Sequence, residues 1–125
     1  GGVNLFEGRV VETRADGLAI DCAELDQCLV VAGAGVAIGS AVAIAVRPER
    51  IELSAAPSAR PNCLSATVTD VSYRGEASSV NLALANGRRV RVTLPNLGRT
   101  GGPRLVPGAA LWLGWAPEAG VLLTS

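Results

Sequence analysis

An acidic cluster is the first stretch whose residue types could do chemistry. Asp21, Glu24 and Asp26 lie within one short segment of this 125-residue chain. Carboxylate oxygens are the ligands that calcium prefers, but a calcium loop of the EF-hand kind also needs a central glycine and a terminal glutamate, which this spacing lacks. We therefore interpret the cluster as a solvated turn.

The glycine-rich segment GAGVAIGS, residues 33–40, is the second candidate, because glycine-rich loops can cradle phosphate groups. A phosphate-binding loop of this kind needs the pattern GxxxxGK[ST] and opens a helix. This segment has no lysine and lies among strand-like segments. No phosphate site is predicted there.

Nucleophilic and metal chemistry are limited by missing residue types. The chain has no histidine, and its basic residues are all arginine, so neither a Ser-His nor a Ser-Lys pair can be assembled. Cys22, Cys28 and Cys63 form no CxxC pair that could start a zinc site. We expect three free, mostly buried thiols, with a Cys22–Cys28 disulfide as the alternative. No catalytic, metal-ligating or cofactor-binding residue is predicted.

The charge balance and the hydropathy of the chain exclude several partners. Eleven basic and eleven acidic residues give a formal net charge of zero. A neutral chain has no general attraction to nucleic acid or to an anionic membrane, and no nucleic-acid partner is expected. No apolar run approaches the roughly 18 residues of a spanning helix, and no signal-peptide pattern occurs. We expect a soluble chain without a targeting segment.

The elements that position these residues are predicted to be strands. Short alternating or β-branched segments recur along the chain, separated by Gly, Pro, Asn or Asp, and helical spacing is rare. This pattern predicts an all-β fold. The predicted strands lie near residues 3–14, 17–22, 27–32, 40–47, 50–54, 63–74, 77–85, 88–94, 109–116 and 120–124.

One hairpin can be predicted in register. A three-residue loop, Ala85-Asn86-Gly87 with a left-handed glycine, pairs Leu82 with Val90 and keeps one face apolar. A two-residue Asn-Gly loop would set Leu82 against Arg91 and mix the faces. The three-residue loop is therefore predicted. It places Arg89 and Arg91 on the outer face, as a solvated pair or as a contact to an anion or partner.

The chain also repeats itself. GSAVAIAVRPERIEL from Gly39 aligns with GAALWLGWAPEAGVLL from Gly108, and NLFEGRV from Asn4 aligns with NCLSATV from Asn62. The aligned residues are further apart in the chain in the first alignment, near the ends of the two copies, than in the second, near their starts. The second copy therefore contains extra residues between its start and its end. We assign the extra length to the loop at residues 96–108.

Two copies with about five strands each predict two tandem five-stranded barrels of OB type from an internal duplication, at residues 1–57 and 58–125. Units of this size would be marginal alone, so we expect them to share an interface or exchange a strand. In the second unit, Trp112 alternates with apolar Leu111 and Leu113. It is expected to face outward, at the edge of a partner interface.

The segment VRPER, residues 46–50, interrupts an apolar strand with charges and a proline. Proline cannot donate to a strand ladder, so the strand is predicted to end, or to reach a sheet edge, at Arg47. The repeat aligns Pro48-Glu49 with Pro117-Glu118, which predicts a cap or corner role for this pair in both copies. Arg47 and Arg50 occur only in the first copy and are the candidates for an interaction beyond the fold.

The motifs NLFEGRV, VAIAVRPERIEL, ATVTDVSYRGEASSVNLAL and LWLGWAPEAGVLL together resemble the C-terminal TOBE (transport-associated OB) region of ATP-binding subunits of ABC importers, of the polyamine, ferric-iron and sugar type. The resemblance covers essentially the whole chain. Ala66, where the family usually has glycine, is a departure. The family-motif and possible interaction residues are Arg47, Pro48, Glu49, Arg50, Tyr73, Gly75 and Trp112.

This resemblance implies a regulatory domain in the cytoplasm, at the inner face of the plasma membrane, that helps two ATP-binding subunits dimerise. The implied partners are a second copy of the subunit, membrane permease subunits and, in some members, an inhibitory protein or the imported solute. ATP and Mg²⁺ would be bound by an ATPase domain carrying Walker and signature motifs, none of which occurs in this chain. The chain itself would hold no cofactor and catalyse no reaction.

A free-standing oxyanion-binding protein is the alternative. The segment SARPNCLSATV, residues 58–68, resembles the Ser-x-Arg-Asn opening of duplicated molybdate-binding Mop domains, which have the same barrel type, with Pro61 inserted. Sites of that kind use backbone N–H groups and a few hydroxyls. The transporter domain is preferred, because the resemblance to it extends over nearly all of the chain.

Overall fold

A computed structural model describes residues 2–95 and 103–124 of the chain. These residues form ten strands and three single-turn 3-10 helices, so the predicted all-β fold is confirmed. Each predicted strand is present, with ends within two residues of the expected ones. The strands are β1 (Asn4–Arg14), β2 (Gly17–Cys22), β3 (Gln27–Val31), β4 (Ala41–Val46), β5 (Glu52–Ser54), β6 (Asn62–Arg74), β7 (Ala77–Ala83), β8 (Arg89–Pro95), β9 (Ala110–Trp115) and β10 (Gly120–Thr124). The 3-10 helices are η1 (Ala23–Leu25), η2 (Pro48–Arg50) and η3 (Pro117–Ala119).

The strands form two antiparallel five-stranded sheets, with the orders β10-β4-β1-β2-β3 and β5-β9-β6-β7-β8. Each sheet belongs to one compact unit of the chain. Unit 1 combines the residues up to Arg47 with those from Ala116 onward, and unit 2 is Pro48–Trp115. In unit 1, β3 also contacts β10, and in unit 2, η2 contacts β8.

This division corrects the predicted one, in which two contiguous units met between residues 57 and 58. That boundary would assign β5 to the first unit and β10 to the second. The backbone ladders instead set Leu53 of β5 opposite Leu113 of β9, and Leu122 of β10 opposite Ile44 of β4. The last strand of each repeat therefore completes the sheet of the other copy. Self-alignment identifies equivalent strands but not the sheet that each one joins.

The repeat is visible in the strand register. Asn4 lies opposite Val46 in unit 1, and Asn62 lies opposite Trp115 in unit 2. Both asparagines are buried, and the Asn4 side-chain amide donates to the Val46 carbonyl at 3.3 Å. The two asparagines thus start equivalent strands at equivalent places in the two sheets.

Alternating apolar residues build the cores. Full burial of a large apolar side chain contributes roughly 1.5–3 kcal/mol, so aliphatic residues can stabilise units that contain few aromatics. The largest side chains with almost no exposed surface include Phe6, Leu18, Ile20, Leu29 and Ile44 in unit 1, and Ile51, Leu82, Leu113 and Trp115 in unit 2.

The predicted β7–β8 hairpin is confirmed in register. Leu82 lies opposite Val90, and Gly87 has a φ of +86°. The Leu84 N–H donates to the Arg88 carbonyl at 2.8 Å, and the Gly87 N–H donates to the Leu84 carbonyl at 2.9 Å. The loop therefore consists of residues 85–87, as expected from the apolar faces of the two strands.

The cysteines differ in part from the prediction. All three are thiols and not disulfides, but only Cys22 is buried, whereas Cys63 is half-buried and Cys28 is exposed. Cys28 lies opposite Asp21 on the outward side of β3, because side chains alternate along a strand. Their burial was therefore overestimated.

The long loop assigned to residues 96–108 lies partly outside the described residues, since 96–102 are not described. Of the remainder, residues 103–106 have no regular structure and residues 107–108 form a turn. No helix in the described ranges is long and apolar enough to cross a membrane.

Candidate functional site

The VRPER segment is where the chain leaves one sheet for the other. Strand β4 ends at Val46, and Pro48–Arg50 form η2 with Pro48 buried. Proline has no N–H for a strand ladder, and its fixed φ suits the first residue of a helical turn. The interrupted strand is thus followed by a 3-10 turn at the point in the sequence where unit 1 ends and unit 2 begins.

The second Pro-Glu pair forms a corner at the other crossing. Strand β9 ends at Trp115, and η3 follows, with Pro117 and Ala119 buried. The Pro117 carbonyl accepts a hydrogen bond from the Ala32 N–H at 3.0 Å, which fastens η3 beside the end of β3. Both crossings therefore use a buried proline at the start of a 3-10 turn.

The charged residues of these corners lie on the surface. Arg47, Glu49, Arg50 and Glu118 are all exposed. Helix η3 begins after Ala116, whose methyl group cannot cap it. The second corner therefore forms without a side-chain cap from the residue before it, and both corners contain a buried proline. An interaction role for Arg47 and Arg50 stays a prediction.

The other motif residues lie at different places in unit 2. Tyr73 is 67% exposed near the end of β6, and Gly75, with a φ of +55°, lies in the turn that follows. Trp112 is half-buried on β9, opposite Ser65. Since Ser65 and Tyr73 stand near opposite ends of β6, Tyr73 and Trp112 do not share a site.

A cleft on unit 1 was not predicted from the sequence. It has a volume of about 580 Å³ and lies over the outer face of the sheet, where Glu7, Arg9, Asp21 and Glu24 contribute charged groups and Leu123 an apolar wall. The strand alternation of β1, which turns residues 5, 7 and 9 outward, was the signal that could have found it.

The geometry of the cleft is set by the strand register. Arg9 lies opposite Asp21 across β1 and β2, and its Nη1 donates to the Gly39 carbonyl at 2.9 Å. Glu7 lies opposite Ala43 of β4, which in turn lies opposite Leu123 of β10. Small alanine side chains on β4 leave the space, and charged side chains on β1 and β2 border it.

The two stretches that first suggested chemistry lie largely at the surface. Asp21, Glu24 and Asp26 are exposed, and Asp26 has a left-handed φ of 51° after η1. Residues 33–40 connect β3 to β4 and open no helix. Within the described residues, no group of three or more His, Cys, Asp or Glu side chains is placed to hold a metal ion.

The segment that resembles an oxyanion-binding motif is engaged within unit 2. Arg60 Nη2 lies 2.6 Å from Glu52 Oε1, and Arg60 Nε donates to the same oxygen at 3.0 Å. The Ser58 hydroxyl accepts from the Arg60 backbone N–H at 3.3 Å. The guanidinium that would attract an oxyanion therefore already faces a carboxylate.

A family comparison decides what kind of domain this is. Residues 44–123 match the family model described as TOBE domain, which is more than half of the chain. The chain belongs to the TOBE domain family. The match spans both corners, and the family expected from the sequence motifs is confirmed.

One curated relative of this TOBE domain is the putrescine transport ATP-binding protein PotG of Escherichia coli (strain K12). The two sequences are 33% identical over 126 residues, which is 99% of this chain and 33% of PotG. The TOBE domain described here thus spans about a third of the length of that relative.

A solved structure supports the fold. The TOBE domain is similar to the cytoplasmic molybdate-binding protein ModG, in a crystal form with molybdate bound, with a TM-score of 0.72. The similarity covers 100% of this chain and 98% of ModG at 18% sequence identity. At this identity the likeness establishes a shared OB-type architecture and leaves the ligand undecided.

Proposed function

We propose that this TOBE domain is the C-terminal regulatory and dimerisation domain of the ATP-binding subunit of an ABC-type importer of the polyamine, ferric-iron or sugar class. The observation that carries the proposal is the 33% identity to PotG across 99% of the chain. A domain that aligns along its whole length with part of an ATP-binding transport protein is expected to serve the same kind of subunit.

In this proposal the chain binds partners and performs no chemistry. ATP and Mg²⁺ are bound by an ATPase domain outside the chain. The sequence offers no histidine or lysine as a general base. The partners are a second copy of the subunit, the membrane permease subunits and, as a further possibility, a regulatory protein or small solute. The location is cytoplasmic, at the inner face of the plasma membrane.

The strand exchange between the sheets supports a binding role. Since β10 completes the sheet of unit 1 and the chain crosses twice between the units, unit 1 is built from two separate segments and unit 2 from the segment between them. Within each unit, the close-packed strands can present an outer sheet face to a partner without large rearrangement.

The coding sequence upstream of Gly1 provides the test. We expect an in-frame ATPase domain with Walker A, Walker B and signature motifs. Purified full-length subunit should hydrolyse ATP, while this chain alone should not exceed a blank prepared in parallel. An open reading frame without those motifs, or ATP hydrolysis that copurifies with this chain through successive columns, would overturn the proposal.

Oxyanion binding is the second candidate, because the ModG structure with molybdate covers the whole chain at a TM-score of 0.72. The contact between Arg60 and Glu52 argues against it, since a carboxylate 2.6 Å from the guanidinium repels a second anion. Calorimetry with molybdate should give no stoichiometric heat. Glu52→Gln, which removes the competing charge, is the matched variant, and tight molybdate binding by wild type would reverse the order of the two candidates.

A further inference from the structure

The outer face of unit 1 carries an excess of acidic groups. Around its cleft, the carboxylates of Glu7, Asp21 and Glu24 outnumber the guanidinium of Arg9. These groups lie on the side of the sheet opposite the core, since the residues that alternate with Glu7 and Arg9 along β1, Phe6 and Val10, are buried. A partner that covers this face must supply positive charge.

Apolar side chains accompany the acidic groups on the same face. Val121 and Leu123 of β10 are 60% and 44% exposed. Val121 lies opposite Ala45 of β4, which lies opposite Leu5 of β1, so the apolar row crosses three strands. Exposed apolar residues next to a charged rim are typical of surfaces that bind proteins.

The outer face of unit 2 has the opposite balance. Arg89 and Arg91 project from β8, opposite Ala83 and Asn81 of β7. The Asp70 carboxylate of β6 accepts a hydrogen bond from the Asn81 amide at 3.0 Å and another from the neighbouring threonine at 3.3 Å, and Arg89 Nη1 donates to the hydroxyl of that threonine at 3.3 Å. Arg91 lies in one row with Asn81 and Asp70, so this face carries two guanidinium groups and the hydrogen-bonded carboxylate of Asp70.

Small side chains and an aromatic ring complete the face of unit 2. The row that starts at Arg89 continues through Ala83, Thr67 and Ala110 across four strands. Trp112, two residues after Ala110 on β9, lies on the same side of the sheet and is half-buried. The face therefore offers basic groups, a shallow row of small residues and one large apolar ring.

We propose that the outer face of unit 1 in one copy of this chain contacts the outer face of unit 2 in a second copy. The acidic cleft of the first copy would contact Arg89 and Arg91 of the second copy. The apolar row around Val121 of the first copy would pack against the Trp112 ring of the second. This inference rests on the proposed function for its biological setting. It adds to that function the surfaces through which two copies associate.

Charge complementarity selects this pairing over pairing of like faces. Two unit 1 faces would set three carboxylates against three carboxylates, and two unit 2 faces would set arginines against arginines, and like charges at an interface cost binding free energy. Every copy carries one face of each sign, so each can supply both halves of the contact.

Charge-exchanged variants test the pairing. Variant X is Glu7→Arg with Asp21→Asn, which makes the unit 1 face basic. Variant Y is Arg89→Glu with Arg91→Gln, which makes the unit 2 face acidic. Sedimentation equilibrium at low salt should show self-association of the wild type, loss of about tenfold or more in affinity for X alone and for Y alone, and recovery in an equal mixture of X and Y.

The other outcomes are equally informative. A contact between two unit 1 faces would leave Y associated, a contact between two unit 2 faces would leave X associated, and either result overturns the proposal. A wild type that stays monomeric at millimolar concentration also overturns it. Asp16→Arg and Arg74→Glu are matched controls, because both change exposed charges at hairpin ends, Asp16 in the β1–β2 turn and Arg74 at the last position of β6, and they should leave association unchanged.

Two further measurements distinguish a lost contact between copies from a loss of fold and from a contact that does not depend on charge. Thermal unfolding of X and Y should match the wild type, so that loss of association is not loss of fold. Rising salt should weaken the wild-type contact, because salt screens exposed charges. The proposed transport function is tested on the upstream coding sequence, so its test is independent of the charge-exchange result.

Discussion

Val10 and Val68 accept the same backbone hydrogen bond at equivalent places in the two units. The Gly39 N–H donates to the Val10 carbonyl at 2.7 Å, and the Gly108 N–H donates to the Val68 carbonyl at 2.8 Å. Each valine N–H donates in return to the carbonyl of the residue after that glycine, at 3.1 and 2.9 Å. Strands β1 and β6 also shift register directly after these valines. The duplication has therefore kept the backbone pattern while many side chains diverged.

At Gly8 the two sequence repeats of the chain require different residues. Its repeat counterpart is Ala66, yet a Cβ on Gly8 would clash with the Asp21 carbonyl oxygen and lie 2.7 Å from Ile20 Cγ2. We expect Gly8→Ala to lower the free energy of unfolding by about 1–3 kcal/mol, because β1 and β2 cannot approach closely with that methyl group. Urea unfolding measures it.

The reverse substitution, Ala66→Gly, is the control for Gly8. It removes a methyl group from a strand interior and should cost about 0.5–1 kcal/mol. If Gly8→Ala proved as stable as the wild type, the close approach of β1 and β2 at this position would be incorrect.

The β7–β8 loop makes a second prediction. Gly87 has a φ of +86°, a conformation that a β-branched residue adopts only with strain. Gly87→Val should therefore lower the free energy of unfolding by about 1–2 kcal/mol, and Gly87→Asn should lower it by less, because asparagine tolerates left-handed backbone. Thermal denaturation distinguishes them, and equal midpoints for the two variants would contradict the loop assignment.

Strands and their register were predictable because local pattern determines them. Val90 lies between two arginines and Leu82 between an asparagine and an alanine, and the three-residue loop keeps Leu82 and Val90 on one face. The corner at Pro48 was predictable for a similar reason, since proline ends a ladder wherever it occurs. The family was recognised from motifs of this local kind.

Features that depend on contacts between distant segments were not predictable. Strand β5 follows β4 in the chain but pairs with β9, and nothing in its three residues, Glu52–Ser54, states which sheet it joins. The cleft of unit 1 arises because β1, β2, β4 and β10 bring charged and small residues together, and no short motif contains them all. Cys28 is exposed because it pairs with Asp21 on the outer side of the sheet, and amino-acid composition gives no information about strand pairing.

The two tryptophans provide a matched comparison of burial. Trp115 has almost no exposed surface, whereas Trp112 is half-buried on the outer face of the same strand. Trp115→Ala should lower the free energy of unfolding by about 3–5 kcal/mol through lost contacts and a cavity. Trp112→Ala should cost clearly less, about 1–2 kcal/mol. Urea titrations that gave the two variants equal stability would mean that the register of β9 is wrong.

Arg47 tests whether the charged corner has a role beyond the fold. Its repeat counterpart is Ala116, so the second corner forms without an arginine at that place. Because Arg47 is exposed, Arg47→Ala should change the free energy of unfolding by no more than about 0.5 kcal/mol. We expect it to weaken association of the full-length subunit, measured by sedimentation velocity.

Arg14→Ala is the matched control for Arg47. Arg14 is also an exposed arginine of unit 1, and its Nε lies 3.2 Å from Asp16 Oδ1 in a surface ion pair, which contributes little to stability. This variant should alter neither stability nor association. If Arg47→Ala destabilised the fold while association of the folded subunit stayed intact, Arg47 would be part of the corner itself and the interaction role would be wrong.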